Sequence, residues 1–327
     1  MDCLEPPPTI YRILSHAIHV FSFPTYAIAL IALFLIKSKV FTTYRLFLIW
    51  HVFENLCFEL CAAFLIQPAV HPPYPLIRTT GLLAQWGICG LLQFYFVSVG
   101  IEYNGISINE MFYFRYKASL FNYKDRRFTY FLRACIYSAR FIALFDPAFS
   151  ALTYADATDF QQAQKQHSLR LNPSSTFLLC SSVFIIAPFT DYISTVLPIC
   201  WLIQTAMPAF IVPGVAIYVN RNVEKSQSAV TWKIQQQLLR SLSIQVFIHG
   251  IMLGIPNYMF LYAFFFGYEN ENYGYIAFLA MTYHGFVSTF AMIVFTKPLR
   301  SYISQSLGCH GKMSTKVSVS NRTSATI

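Results

Sequence analysis

Glu54, Glu59, Glu102, Arg140, His249 and His284 stand inside long apolar runs, where an ionisable side chain is costly and faces a packed interior or a polar cavity. Such groups can line a ligand pocket, pass protons or ions along a path, or pair with one another and hold helices together. Their depths follow from the rise of a helix, about 1.5 Å per residue. On that scale Glu59 lies about 20 Å from the start of its run, Glu102 about 20 Å from Arg115, and Arg140 about 18 Å from Phe128. His249 and His284 fall near the middle of theirs, and His51 and Glu54 nearer one end. Glu102 and Arg140, at matching depth on consecutive runs, are expected to form an ion pair. Metal-assisted hydrolysis would need a tighter donor set. The histidines, at 16, 19, 51, 71, 167, 249, 284 and 310, contain one close pair, His16 and His19, so no metal, no cofactor and no enzyme is expected.

The elements that position these groups are long and oily. Of 327 residues, 56% are hydrophobic and 11% charged, against about 25% charged in soluble domains, so the chain reads as a membrane protein. Its aromatic content, 17%, suits lipid-facing surfaces and interface belts. The formal charge of +9 is spread between apolar runs and forms no single patch, which argues for topology and against nucleic acid. The eight cysteines show no CxxC pair. The first residues lack the basic region of a cleaved signal peptide, so the first apolar run is expected to be retained.

Seven spans are expected, at about 16–36, 46–70, 79–114, 128–153, 193–219, 241–266 and 275–296, forming an all-α seven-helix transmembrane bundle over residues 1–300. The third is a central pillar: Cys89 and Arg115 are separated by about 39 Å of helix, enough to reach both faces of a bilayer. Pro198, Pro208 and Pro213 predict kinks in the fifth span. The patch Thr176–Pro188 is too short for a span and reads as a loop packed onto the bundle. With the N-terminus outside, the outer segments carry Arg12, Arg78, Lys165 and Arg170; Arg133 and Arg140 lie within the fourth span; the other seventeen of the 23 Lys and Arg are inside. That asymmetry predicts an outer N-terminus and a cytoplasmic C-terminus. Residues 301–327 are expected to be a disordered cytoplasmic tail, with the Asn321-Arg322-Thr323 sequon unused and Cys309 a candidate for palmitoylation. In this topology Cys89 and Cys180 both face an oxidising compartment, where they tie the pillar to the long second outer loop or stay free thiols. Arg115, at the inner end of the pillar, reads on these grounds as a charge that fixes topology. No internal repeat of the kind found in transporters is visible.

Taken in order, several motifs resemble the nematode serpentine chemoreceptors of class H, with the related class I a close second. His51, Glu59 and Pro68 match a His, Asp and Pro spacing, with Glu for Asp. Gln245 and Pro256 match in the sixth span, with His249 where that family tends to have proline. His284-Gly285, Ser288-Thr289 and Met292 match in the seventh, and Pro298-Leu299-Arg300 stands for Pro-Tyr-Arg. Phe114-Arg115-Tyr116 resembles the coupling motif without an acidic residue before the arginine. The resemblance covers about residues 10 to 305. It implies a heptahelical G-protein-coupled receptor for small environmental chemicals, at the plasma membrane and in a sensory cilium. Arg115 and Tyr116 would meet a heterotrimeric G protein, and the outer halves of the third, fifth, sixth and seventh spans would enclose the ligand. The competing expectation is an ion channel or transporter in which Glu54, Glu59 and Glu102 form a carboxylate path.

Overall fold

A computed structural model describes residues 7–36, 42–70, 76–119, 126–155, 158–171, 176–185, 229–266, 268 and 270–306. Long helices dominate. In chain order they are α1 (Thr9–Leu35), α2 (Thr42–Leu60), a short α3 (Leu82–Gln85), α4 (Gly90–Ser119), α5 (Arg126–Ala155), α6 (Thr158–Leu171), α7 (Ala229–His249), α8 (Ile255–Phe266), α9 (Glu271–Phe295) and α10 (Lys297–Ser306). The expected fifth span, 193–219, lies outside the described residues. Among the described residues, four stretches are long and apolar enough to cross a membrane: Thr9–Leu35, Tyr44–Ile66, Leu239–Phe260 and Asn272–Phe295. Their outward faces carry exposed Ile10, Phe21, Phe34, Trp50, Phe247 and Phe290, as lipid contact requires.

Two of these spans contain a wider turn. A π turn at Cys61–Ile66 extends α2, and another at Gly250–Gly254 joins α7 to α8. Pro256 has no N–H to donate, so the second turn sits where the ordinary helical ladder is already interrupted. The first ends at Gln67, which adopts a left-handed conformation (φ 44°) and passes the chain into a strand.

Beyond the end of α2 the fold departs from the expected all-helical pattern. Strands β1 (Pro68–Val70), β2 (Leu76–Thr79) and β3 (Val183–Ile185) form an antiparallel sheet in the order β1-β2-β3, with Ala69 opposite Arg78 and Ile77 opposite Phe184. Pro68 opens an edge strand, where its missing donor does no harm. The sheet is pinned to α1 by the Tyr11 hydroxyl, which donates to the Pro68 carbonyl at 2.7 Å. α6 closes its other edge: the Gln161 side chain donates to the Ile185 carbonyl (2.8 Å) and accepts from the Ile185 N–H (3.1 Å), taking the place of another strand. The pillar helix therefore begins at Gly90; residues 79–89, expected to extend it, form the end of β2, α3 and a turn at Gly87 (φ 76°). At the other end α10 follows α9 directly. Its Leu299 is buried and Tyr302 and Ile303 pack on the core, so residues 301–306, expected to open a disordered tail, are helical.

The interior has three tiers. One apolar cluster joins Tyr26, Leu33, Leu48, Phe112, Leu242, Met292 and Leu299 at the end near α10. A second joins Phe58, Ile66, Val97, Ile101, Leu253 and Phe278 beneath the sheet. Between these clusters the interior carries buried polar residues: His51 and Asn55 on α2, Asn104 and Ser107 on α4, Gln245 and His249 on α7, and His284 and Ser288 on α9. α9 comes close to α2 there: a Cβ at Gly285 would lie 2.6 Å from the Tyr26 hydroxyl oxygen and 3.0 Å from the Asn55 carbonyl oxygen. Gly285→Ala is therefore expected to destabilise the bundle by about 1–3 kcal/mol, the usual cost of overpacking. Gly105→Ala, which meets nothing within 4 Å, serves as the control. Thermal denaturation of both purified variants in detergent checks this, with a lower midpoint for Gly285→Ala alone.

Candidate functional site

The polar tier is built from α2, α4, α7 and α9. Ser107 Oγ donates to the Asn104 carbonyl (2.9 Å), so it accepts from His51 Nδ1 at 2.7 Å. That fixes the His51 tautomer and leaves its Nε2 as acceptor for Asn55 Nδ2 (3.2 Å) and the Ser288 hydroxyl (3.3 Å). Asn55 Nδ2 also faces Thr289 Oγ1 at 3.4 Å. On α7, His249 Nδ1 donates to the Gln245 carbonyl (3.1 Å), and His284 Nε2 on α9 points at the face of the His249 ring, 2.8 Å from its Nε2 and 3.0 Å from its Nδ1, with the two rings edge to face. The His51 and His249 rings lie 5.7 Å apart between centroids, which joins the two halves of the tier. The sequence expectation had placed His249 and His284 at similar depth; the structure puts them in direct contact. His51, Ser107 and Ser288 are the partners that depth alone did not supply.

Glu59 belongs to a different interface. It is fully buried and turned to α1, where the Ser22 hydroxyl and the Tyr26 hydroxyl (2.7 Å) donate to it and His19 Nδ1 lies at 3.1 Å. The serine, tyrosine and histidine recur at three- and four-residue spacing, 19, 22 and 26, which puts them on one face of α1.

Arg140 corrects the expected pairing. Its Nε and Nη2 grip Glu110 at 2.6 and 2.8 Å, and its Nη1 meets Glu54 at 3.1 Å. Tyr103 and Trp50 flank the guanidinium, with ring centroids at 4.8 and 5.8 Å. Glu102 is buried at another level of α4 and is not the partner of Arg140. Side chains lean toward the N-terminus of their own helix, and α4 and α5 run in opposite directions. Glu102 leans toward the sheet and Arg140 leans away from it, so equal depth of the backbones sends the two groups apart. Glu110, two turns further along, leans up to meet the arginine. Glu54 and Glu59 thus face different interfaces and do not form one file of carboxylates.

The outer cysteines are also corrected. The Gly90 N–H donates to the Ser181 carbonyl at 3.0 Å, so the two backbones do meet. Cys180, however, is buried with Leu76, Leu178, Val183 and Ile185 and is disulfide-bonded, whereas Cys89 is an exposed free thiol. The Cys180 bond is therefore not to Cys89. Lys165 covers the same small core, donating to the Cys180 carbonyl at 2.8 Å, and burial pushes its ammonium below the ordinary lysine range. Among the described residues no group of three or more His, Cys, Asp or Glu side chains is arranged to hold a metal ion. Arg115 and Tyr116 lie in the last turns of α4.

A bundle whose spans carry buried histidines, serines and a gripped arginine in this order matches the profile "Serpentine type 7TM GPCR chemoreceptor Srh" across residues 7–309. The chain belongs to the Srh family. It is a multi-pass membrane chemoreceptor of the seven-transmembrane G-protein-coupled type, and a receptor, not an enzyme. No curated protein matches it.

In this receptor, removing Arg140 leaves Glu54 and Glu110 without a counterion, at a cost of about 3–5 kcal/mol, and removing Glu110 leaves Arg140 with Glu54 alone. Glu110→Ala and Arg140→Leu are each expected to reduce surface expression severalfold. The exchange Glu110→Arg with Arg140→Glu recovers part of it, and Glu102→Arg with Arg140→Glu does not. Surface immunolabelling of the four variants makes the comparison.

Proposed function

We propose that the receptor lies with its N-terminus and the β1-β2-β3 sheet outside the cell and its C-terminus in the cytoplasm. Residues 1–300 form the seven-span unit, with 193–219 as the fifth span. It binds a small volatile or soluble environmental chemical between the outer halves of the third, fifth, sixth and seventh spans. It passes the signal to a heterotrimeric G protein at Arg115 and Tyr116, in the cilium of a sensory neuron. The basic residues, seventeen inner against four outer, support the orientation. His249 and His284 belong to the contacts that distinguish the receptor's states, and Glu59, Glu102 and Arg140 are fixed groups of the bundle interior around them.

The observation that carries this reading is the polar tier itself. It links α2, α4, α7 and α9 at the level where α7 gives way to a π turn, and π turns recur at functional sites. Buried polar atoms within it are left over: Gln245 Nε2 and Oε1, His284 Nδ1 and Asn55 Oδ1 have no hydrogen-bond partner among the described residues. Each such atom costs about 1–3 kcal/mol, a cost that a rearrangement satisfying them would recover. A ligand that binds the second arrangement better moves the population toward it by its difference in affinity.

Arg115→Ala is expected to leave surface expression within about a factor of a few, since most single substitutions cost about 1 kcal/mol, and to abolish the agonist response. A calcium reporter in heterologous cells, with an odorant panel, reads it; parallel loss of expression and response would assign Arg115 a topological role alone. A C-terminal tag is expected to be labelled only after permeabilisation, and labelling of intact cells would overturn the orientation.

A further inference from the structure

A groove of about 510 Å³ opens between α2, α4 and α5, at the end where α2 and α5 begin and α4 ends. Phe47, Phe114 and Ile136 give it an apolar wall, and Lys117 and Arg133 stand on it as cations. Glu110 lies at its base, but that carboxylate is already held by Arg140 at 2.6 and 2.8 Å and offers no counterion to the others. Arg133 is exposed, and it meets the Tyr137 hydroxyl (3.1 and 3.3 Å) and ring (5.3 Å) and, among the described residues, no carboxylate. It lies about 10 Å along α5 from Arg126, at the inner edge of a headgroup zone. The surrounding surface is oily: Trp50 and Phe53 of α2 and Phe131 and Phe141 of α5 are all exposed. A guanidinium facing acyl chains at this depth without an anion is costly.

We propose that this groove is a binding site for an anionic phospholipid. Its phosphate sits between Lys117 and Arg133, and an acyl chain lies along Phe47, Phe114 and Ile136. A free phosphate would satisfy the cations but leave the apolar wall uncovered; a zwitterionic lipid would cover the wall but bring its own cation to the two already there. Under the orientation proposed above, the site opens to the cytoplasmic leaflet beside the G-protein face, where an anionic lipid would brace α4 against α5.

Native mass spectrometry of the purified full-length receptor in detergent tests this, with dioleoyl phosphatidylserine and dioleoyl phosphatidylcholine titrated side by side. The receptor is expected to retain phosphatidylserine in preference, with Lys117→Gln and Arg133→Gln each lowering that affinity about fivefold, the value of one cation near a lipid surface. Arg133→Lys keeps the charge and is expected to keep the lipid, which separates loss of the anion site from loss of the fold. Equal retention of the two lipids, no change in the Gln variants, or displacement of the lipid by millimolar inorganic phosphate would each overturn the proposal. Micelles have no sidedness, so the result is independent of which leaflet the groove faces and of the orientation reading.

Discussion

A polar side chain in the middle of a membrane bundle has no water to fall back on, so its hydrogen bonds must come from neighbouring helices, and the helices must be placed to supply them. In this receptor that requirement falls on His51, Asn55, Ser107, His249, His284 and Ser288. Each sits between an apolar cluster beneath the sheet and another beside α10. The clusters supply most of the favourable burial, but burial of apolar surface is non-directional. The hydrogen bonds between them fix register: His51 reads α4 through Ser107 and α9 through Ser288, while His284 reads α7 through His249. The close approach at Gly285 allows α9 to come near enough for these contacts.

The same tier explains how the fold can carry a signal. Interhelical hydrogen bonds in membranes are individually modest, about 0.6 kcal/mol on average, so a layer of them can be rearranged by a ligand of ordinary affinity. The unpartnered atoms of Gln245 and His284 narrow the gap further. The two rigid groups outside the tier behave differently. Arg140 with Glu110 and Glu54, and Glu59 with Ser22 and Tyr26, are charge-assisted and well matched, and they fasten α5 and α1 to the pillar and to α2. The receptor thus has fixed flanks around an adjustable middle.

Much of this was readable from residue types and spacing. The spans around α1, α2, α7–α8 and α9 follow from apolar runs, and the interior burial of Glu59, His249 and His284 follows from the cost of leaving them in lipid. Pairing was not readable. Equal depth suggested Glu102 for Arg140, but side chains lean toward their own N-termini, so antiparallel helices pair residues of different depth; a rule of lean, applied to Glu110, would have found the partner. Cys89 and Cys180 come close in backbone, yet side-chain direction separates them, and spacing carries no sign of direction. The short strands around Pro68 and Val183 escaped because three-residue segments have no period to detect. The early end of the tail was misjudged because Leu299, Tyr302 and Ile303 form an apolar face among polar neighbours over too few residues to stand out.

The central claim, that the polar tier sets the balance between receptor states, is tested most directly by the basal signalling of a His249→Phe, His284→Phe double variant. Phe fills the space of each ring and removes the polar ring contact between α7 and α9. The account predicts normal surface expression with agonist-independent G-protein signalling changed severalfold from that of the unaltered receptor, in either direction. Unchanged basal signalling together with an unchanged agonist response, at equal expression, would contradict it.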